Sequence, residues 1–189
     1  ASHNPPEYNG LKFKAAFGGS APPELVAEIE SCVGRLEAEK AVISKKALPA
    51  AVEKYAPKDA YLDHVRRMLN PELLQNFKEK IVFDVMHGSA QGYPKELAAT
   101  YGLNLSEVRS SYNPVFGGVN PEPIEKNLEA LRQAVKEQNA WIGLATDGDG
   151  DRIGAIDADG RYITPYQIFC LLMKYLVEKR GLRGTVVQT

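Results

Sequence analysis

The hydrophobic positions of the chain follow two spacings, one typical of amphipathic helices and one typical of buried strands. The strand-like segments are short apolar or alternating runs at 11–14, 81–86, 141–145, 153–156 and 162–164. The helix-like segments carry apolar residues three and four positions apart, at 22–36, 59–69, 123–139 and 165–180, with a further helix starting at 94. The segments 153–156 and 162–164 are joined by a turn sequence and predict a hairpin. A further strand is predicted to start at 185 and to continue to 189. Strands that alternate with helices predict an α/β fold with parallel strands.

Composition and charge limit the class of protein and its partners. Hydrophobic residues make up 44% of the 189 residues and charged residues 25%, which is the balance of an ordinary globular protein. The 23 basic residues nearly balance the 24 acidic ones, so we expect no nucleic-acid or membrane partner. No apolar run approaches the roughly 20 residues of a membrane span.

The two cysteines fall on the apolar sides of predicted helices. Cys32 and Cys170 are therefore expected to be small buried side chains, and not a disulfide or metal ligands. Together with the lack of a recognisable signal peptide, this use of cysteine predicts a reducing, cytoplasmic compartment.

An acidic loop follows the predicted strand at 141–145. This aspartate loop, residues 146–152, reads Thr-Asp-Gly-Asp-Gly-Asp-Arg. Its carboxylates, Asp147, Asp149 and Asp151, alternate with glycines that permit a tight loop, and three hard oxygen ligands suit Mg²⁺ or Ca²⁺ better than zinc. Three clustered negative charges also repel one another without a counter-ion. The loop predicts a divalent cation site, and the weaker alternative is an acidic surface turn.

A calcium-binding EF-hand is the main competing explanation of this pattern. Counted from Asp147, the EF-hand glycine and glutamate positions are occupied by Arg152 and Ala158. Predicted strands flank the loop where an EF-hand has helices. The sequence therefore excludes an EF-hand.

A second motif lies at the start of the chain, where residues 2–12 read Ser-His-Asn-Pro-Pro-Glu-Tyr-Asn-Gly-Leu-Lys. Taken alone, it is a turn with a chance histidine. Taken with the aspartate loop, it resembles the phosphoserine loop of the α-D-phosphohexomutase superfamily, which includes phosphoglucomutases and phosphomannomutases. The aspartate loop is similar to the metal-binding loop of the same family, and the two motifs occur in the family's order.

The resemblance implies roles for individual residues. It implies that Ser2 carries a phosphoryl group, whose oxygen joins the three aspartates around Mg²⁺, and that Lys12 is a general acid or base. His3 either orients or moves protons beside the serine or fixes its loop. Arg152 either contacts a substrate phosphate or braces the loop carboxylates. His64 and His87 are interpreted as structural.

The resemblance also implies a mixed α/β architecture with incomplete first and third domains. Residues 1–48 would be the end of a first domain with the phosphoserine loop, 49–158 a second domain with the aspartate loop, and 159–189 the start of a third. The segment 116–123 resembles a loop of the family's second domain, although a proline-rich lead into a helix also explains it. The partners implied are the remaining domains of the same polypeptide.

The implied activity is phosphoryl transfer between the 1- and 6-positions of a hexose phosphate, glucose or mannose or both. The reaction would proceed through phosphoserine and a hexose 1,6-bisphosphate, which is both intermediate and activator. The alternatives are a phosphoglucosamine mutase and a non-catalytic metal-binding or sugar-phosphate-binding module. The family's sugar-recognition loop and distal phosphate loop have no counterpart in the sequence, so we expect this chain alone to be inactive.

Overall fold

The computed structural model describes residue 7 and the ranges 11–41 and 55–187. The chain divides into two compact units, one within Asn9–Asp59 and the other mainly within Ala60–Thr189. Each unit is described by itself.

The unit within Asn9–Asp59 contains one helix in its described part, α1 (Pro23–Ala38). Proline is tolerated at the first helical position because that backbone amide has no partner within a helix. The strand predicted at 11–14 is reduced to one antiparallel bridge between Lys14 and Ser20. The prediction that Cys32 is buried is wrong, because no residue of α1 is buried and Cys32 is exposed.

The unit within Ala60–Thr189 is built on a five-stranded mixed sheet with the order β2-β1-β3-β4-β5. Strand β1 pairs in parallel with β2 on one side and with β3 on the other. Strand β4 is antiparallel to both β3 and β5, so the predicted hairpin is confirmed. The strands are β1 (Ile81–Asp84), β2 (Leu105–Val108), β3 (Ile142–Thr146), β4 (Ile153–Asp157) and β5 (Tyr162–Ile163).

Helices connect and follow these strands. They are α2 (Lys58–Met68), α3 (Pro71–Asn76), α4 (Tyr93–Tyr101), α5 (Glu129–Glu137) and α6 (Pro165–Lys174), with 3₁₀ turns at Phe116–Gly118 and Glu125–Asn127 and a π-helical turn at Tyr175–Lys179. None of the helices in the described ranges is long and apolar enough to cross a membrane. The parallel β1-α4-β2 unit in a sheet that also contains the antiparallel β3-β4 pair confirms the α/β fold class.

The core lies between α5 and the sheet. Leu131 and Val135 of α5 are fully buried together with Val82 of β1 and Ile156 of β4. Gly143 of β3 permits this contact, because a Cβ added there would stand 2.6 Å from a Val135 methyl carbon. Helix α5 therefore packs closely against β3, the strand that leads into the aspartate loop.

Three local predictions differ from the structure. The helix predicted over 123–139 is shorter, because a 3₁₀ turn precedes α5 and the Asn127 carbonyl accepts a hydrogen bond from the Arg109 side chain in place of a helical amide. Cys170 of α6 is exposed, and α6 has no buried residue. The strand predicted from 185 is absent over the described residues 185–187, and its last two residues lie outside the described range.

Candidate metal centre

The aspartate loop lies at the edge of the sheet where the parallel strands end. Strands β1, β2 and β3 run in the same direction, so their carboxyl ends share one edge. The loop joins the end of β3 to β4 at this edge. Ligand sites of α/β sheets commonly lie outside these strand ends.

The structure brings the three predicted carboxylates together. One carboxylate oxygen from each of Asp147, Asp149 and Asp151 lies within 4.8 Å of the other two. Asp147 is buried, whereas Asp149 and Asp151 are exposed. Three hard oxygen donors that converge in this way fit Mg²⁺, which binds through carboxylates and retains water or phosphate oxygens in its shell.

The buried carboxylate also organises the loop. Asp147 Oδ1 accepts hydrogen bonds from the backbone amides of Asp151, at 2.9 Å, and Arg152, at 3.0 Å. The Gly150 amide donates to the Asp147 carbonyl at 3.2 Å, with Gly150 at a φ of +82° that favours glycine. The loop is therefore closed by its first aspartate, while the two exposed aspartates face outward from the same turn.

The electrostatics of the loop are dominated by its clustered carboxylates. The pKa of Asp151 is raised above its ordinary value of 3.8 by a side-chain hydrogen bond with Asp147, by desolvation, and by the charges of Asp147 and Asp149. Arg152 opposes this effect and lowers the pKa. A cation at the triad would act in the same direction as Arg152, because a positive charge favours the ionised carboxylate.

Arg152 contacts acidic groups on two sides. Its Nη1 lies 3.1 Å from Glu122 Oε1 and its Nε lies 3.9 Å from Asp147 Oδ2. The side chain is 45% exposed. Arg152 therefore contacts one carboxylate of the loop and one glutamate outside it, and part of its guanidinium is exposed.

Two neighbouring segments hold the aspartate loop through backbone contacts. The Ser89 amide donates to the Gly148 carbonyl at 2.9 Å, and the Gly148 amide donates to the Pro121 carbonyl at 3.0 Å. A Cβ added at Gly88 would stand 2.8 Å from the Gly148 carbonyl oxygen. Sequence reasoning did not assign Gly88, Ser89 or Pro121 to the site. The sequence features that could have identified them are the loop of small residues after β1, residues 87–92, and the proline-rich segment 116–123.

The small-residue loop after β1 does not offer a helix N-terminus to an anion. Glu107 of β2 accepts hydrogen bonds from the backbone amides of Gly92, at 3.2 Å, and Lys95, at 3.1 Å. Its carboxylate thus takes the position at the start of α4 where a phosphate would otherwise bind.

The remaining candidates are placed as follows. His87 Nδ1 lies 2.8 Å from the Ser111 carbonyl oxygen, and His64 Nδ1 lies 3.5 Å from Arg67 Nη2. Lys12 is exposed and lies in the Asn9–Asp59 unit. The predicted nucleophile Ser2 and its neighbour His3 lie outside the described residues.

The unit is a mixed α/β domain with a carboxylate cluster at the carboxyl edge of its sheet. The sequence model described as phosphoglucomutase/phosphomannomutase, alpha/beta/alpha domain II, matches residues 59–160. The model for alpha/beta/alpha domain I of the same family matches residues 1–40. The chain belongs to the phosphoglucomutase/phosphomannomutase family, which confirms the resemblance seen in the two motifs.

Individual relatives agree with this assignment. A probable phosphoglucosamine mutase of Methanocella arvoryzae is 32% identical over 182 residues, which cover 94% of this chain and 39% of the relative. A phosphoglucomutase/phosphomannomutase of Thermococcus kodakarensis is 29% identical over 189 residues, covering 100% of this chain and 41% of the relative. The crystal structure of a putative phosphomannomutase from Thermus thermophilus superimposes with a TM-score of 0.83 at 33% identity, covering 97% of this chain and 41% of that one. The chain thus spans about two fifths of the length of these relatives.

Proposed function

We propose that this chain supplies the cation-binding loop and the phosphoserine loop of an enzyme that moves a phosphoryl group between the 1- and 6-positions of a hexose phosphate. The observation that carries the proposal is the convergence of three carboxylate oxygens within 4.8 Å at the carboxyl edge of the sheet, in a chain of this family. The relatives named as mutases support phosphoryl transfer as the reaction class.

The chemistry is divided between the two loops. Ser2 is the proposed phosphoryl donor and acceptor, through a hexose 1,6-bisphosphate. Asp147, Asp149 and Asp151 hold Mg²⁺, with a phosphoryl oxygen on Ser2 as a further ligand. When bound, Mg²⁺ neutralises and orients the phosphoryl group, which is where most of the catalytic effect in such transfers arises.

Proton transfer and substrate contact are assigned to three basic residues. Lys12 takes and returns the proton of the sugar hydroxyl, a role typically worth about 10²–10⁴-fold in rate. Arg152 contacts a phosphate oxygen through the exposed part of its guanidinium, while its contact with Glu122 holds the side chain in place. His3 either assists proton movement at Ser2 or fixes the serine loop.

The domain assignment is part of the proposal. Residues 1–48 belong to a first domain, 49–158 to a second and 159–189 to a third, and the catalytic partners of this chain are further domains of the same polypeptide. A cytoplasmic location follows from the use of hexose phosphates, and no nucleic-acid or membrane partner is proposed.

The proposal has two versions, which differ in the hexose phosphate that the enzyme uses: that of glucose or mannose, or that of glucosamine. The sequence of the serine loop favours glucose or mannose, whereas several relatives about as similar as the phosphoglucomutase/phosphomannomutase carry the name phosphoglucosamine mutase. Assays of the protein within its complete polypeptide, with the 1-phosphates of glucose, mannose and glucosamine as substrates, distinguish the two versions.

A non-catalytic binding module is the alternative from another class of function. Incubation of the protein within its complete polypeptide with glucose 1,6-bisphosphate and Mg²⁺, followed by intact mass and peptide mapping, separates the two. Transfer of one phosphoryl group to Ser2, and none in Ser2→Ala, supports the enzyme. A chain that stays unmodified while it binds Mg²⁺ contradicts phosphoryl transfer and supports the binding module.

A further inference from the structure

A buried ion pair joins the ends of two neighbouring parallel strands. Asp84 is the last residue of β1 and is completely buried, and Arg109 directly follows β2 with a side chain that is 13% exposed. Arg109 Nε lies 2.9 Å and 3.1 Å from the two carboxylate oxygens, and Nη2 lies 2.5 Å from Oδ2. Arg109 Nη2 also donates to the Asn127 carbonyl at 3.0 Å. The guanidinium thus ties together two strand ends and the segment before α5.

The same pair fixes the turn that follows β1, residues 85–89. Asp84 Oδ1 accepts a hydrogen bond from the Met86 amide at 2.9 Å, and the His87 amide donates to the Arg109 carbonyl at 2.8 Å. Met86 and His87 both adopt positive φ angles, +46° and +56°, which non-glycine residues rarely do. Such a conformation costs about 1–3 kcal/mol per residue and persists only where surrounding contacts enforce it.

The 85–89 turn also contacts the aspartate loop. The Ser89 amide donates to the Gly148 carbonyl at 2.9 Å. Gly88 approaches so closely that an added Cβ would lie 2.8 Å from that carbonyl oxygen and 2.9 Å from the Asp147 carbonyl oxygen. The contacted carbonyl groups belong to Asp147 and Gly148, and thus to the main chain between the first two aspartates of the triad. A shift of the turn would therefore change the distances between the carboxylates.

We propose that Arg109, paired with Asp84, is a positioning residue for the cation site, and that it acts through the 85–89 turn. This inference rests on the proposed function of the aspartate loop. A buried ion pair adds little net stability compared with a well-packed apolar pair. Its directional hydrogen bonds instead define one geometry for the turn. Removing a contact that orients metal ligands without itself binding the metal commonly changes metal affinity by about 10–100-fold.

The test measures Mn²⁺ binding by electron paramagnetic resonance and thermal stability in the same samples of the 189-residue chain. The variants are Arg109→Gln, which removes the charge pairing, and Arg109→Lys, which keeps the charge but lacks the planar fork that spans Asp84 and the Asn127 carbonyl. Val82→Ala is the matched control, because Val82 is fully buried in the same strand β1 but faces the core. It lowers stability and removes none of the hydrogen bonds that hold the turn.

We expect Arg109→Gln to weaken Mn²⁺ affinity by about tenfold or more, Arg109→Lys to have an intermediate affinity, and Val82→Ala to bind as the unmodified chain does. If Arg109→Gln folds and binds Mn²⁺ as tightly as the unmodified chain, the inference is overturned. It is also overturned if Val82→Ala, at the same loss of thermal stability, loses as much Mn²⁺ affinity as Arg109→Gln. If Arg109→Gln does not fold, the Mn²⁺ affinity of Arg109→Lys is the test, and an affinity equal to that of the unmodified chain overturns the inference. No binding by the unmodified chain overturns the proposed cation site itself, and the inference with it.

Discussion

The carboxylate of Asp147 accepts a 2.9 Å hydrogen bond from the backbone amide of Asp151, so one member of the triad closes the loop that presents another. Asp147 is buried and Asp149 is exposed. Each aspartate therefore offers a carboxylate oxygen, but the buried Asp147 also holds the loop together through its hydrogen bonds.

This difference predicts unequal effects on stability for two otherwise similar substitutions. Asp147→Ala leaves the amides of Asp151 and Arg152 without their acceptor and is expected to lower the free energy of unfolding by about 1–3 kcal/mol. Asp149→Ala removes an exposed ligand and is expected to leave stability unchanged in the absence of divalent cations. Both variants lose cation affinity. Urea unfolding in the presence of a chelator checks the prediction, and equal stability of the two variants would contradict it.

Binding of Mg²⁺ should stabilise the folded chain. A ligand at 100 times its dissociation constant adds about 2.7 kcal/mol to the free energy of unfolding when it binds only the folded state. We expect the melting temperature to rise with Mg²⁺, to return on chelation, and not to respond in Asp149→Ala. A melting temperature of Asp149→Ala that rises with Mg²⁺ as much as that of the unmodified chain would place the site elsewhere.

The clustering of carboxylates predicts a pH dependence. The pKa of Asp151 is raised, first by its side-chain hydrogen bond with Asp147. The protonated carboxyl is therefore favoured by the folded state, and this contribution to stability is complete below the ordinary value of 3.8 and lost as pH rises through the raised pKa. A cation needs the ionised form, so Mn²⁺ affinity should fall as pH falls through the same pKa. Asp151→Asn should flatten that part of the profile, and an identical profile would contradict the assignment to Asp151.

Mutase turnover by this chain alone is expected to be absent. The bisphosphate intermediate must be held in two orientations, which requires a cluster of cationic and hydroxyl groups for the distal phosphate. The basic residues of α6, of the π-helical turn and of the segment directly after it are all exposed: Lys174, Lys179, Arg180 and Arg183. A coupled assay with glucose 1-phosphate, Mg²⁺ and the bisphosphate activator should show no multiple turnover, although loss of one phosphoryl group from Ser2 can survive. Sustained turnover would contradict this account.

The elements with strong local patterns could be predicted from the sequence. The apolar runs of β1 and β3 and the hairpin between β4 and β5 appear where the pattern placed them. The aspartate loop was also visible, because three carboxylates alternating with glycines carry the chemistry within seven residues. Strand β2 was missed, since its Leu-Ser-Glu-Val sequence is short and half polar and its place in the sheet depends on pairing with β1.

The errors lie where a local pattern has no information about long-range contacts. Periodicity identified the apolar sides of α1 and α6 but not whether anything covers them, so Cys32 and Cys170 were expected to be buried and are exposed. The contact of Gly88 with the aspartate loop joins residues far apart in sequence and could not be predicted from either segment alone. The burial of Asp147 likewise results from packing at the sheet edge.

The central claim is that the aspartate loop and Ser2 form one cation site. A crystal structure of the protein with phosphorylated Ser2 and Mn²⁺, analysed by anomalous scattering, tests this claim most directly. We predict one strong peak with oxygen ligands from Asp147, Asp149, Asp151 and the Ser2 phosphoryl group, and metal–oxygen distances of about 2.0–2.1 Å when Mg²⁺ replaces Mn²⁺. A peak elsewhere, or ordered aspartates splayed apart with the phosphoryl group of Ser2 remote from them, would contradict the claim.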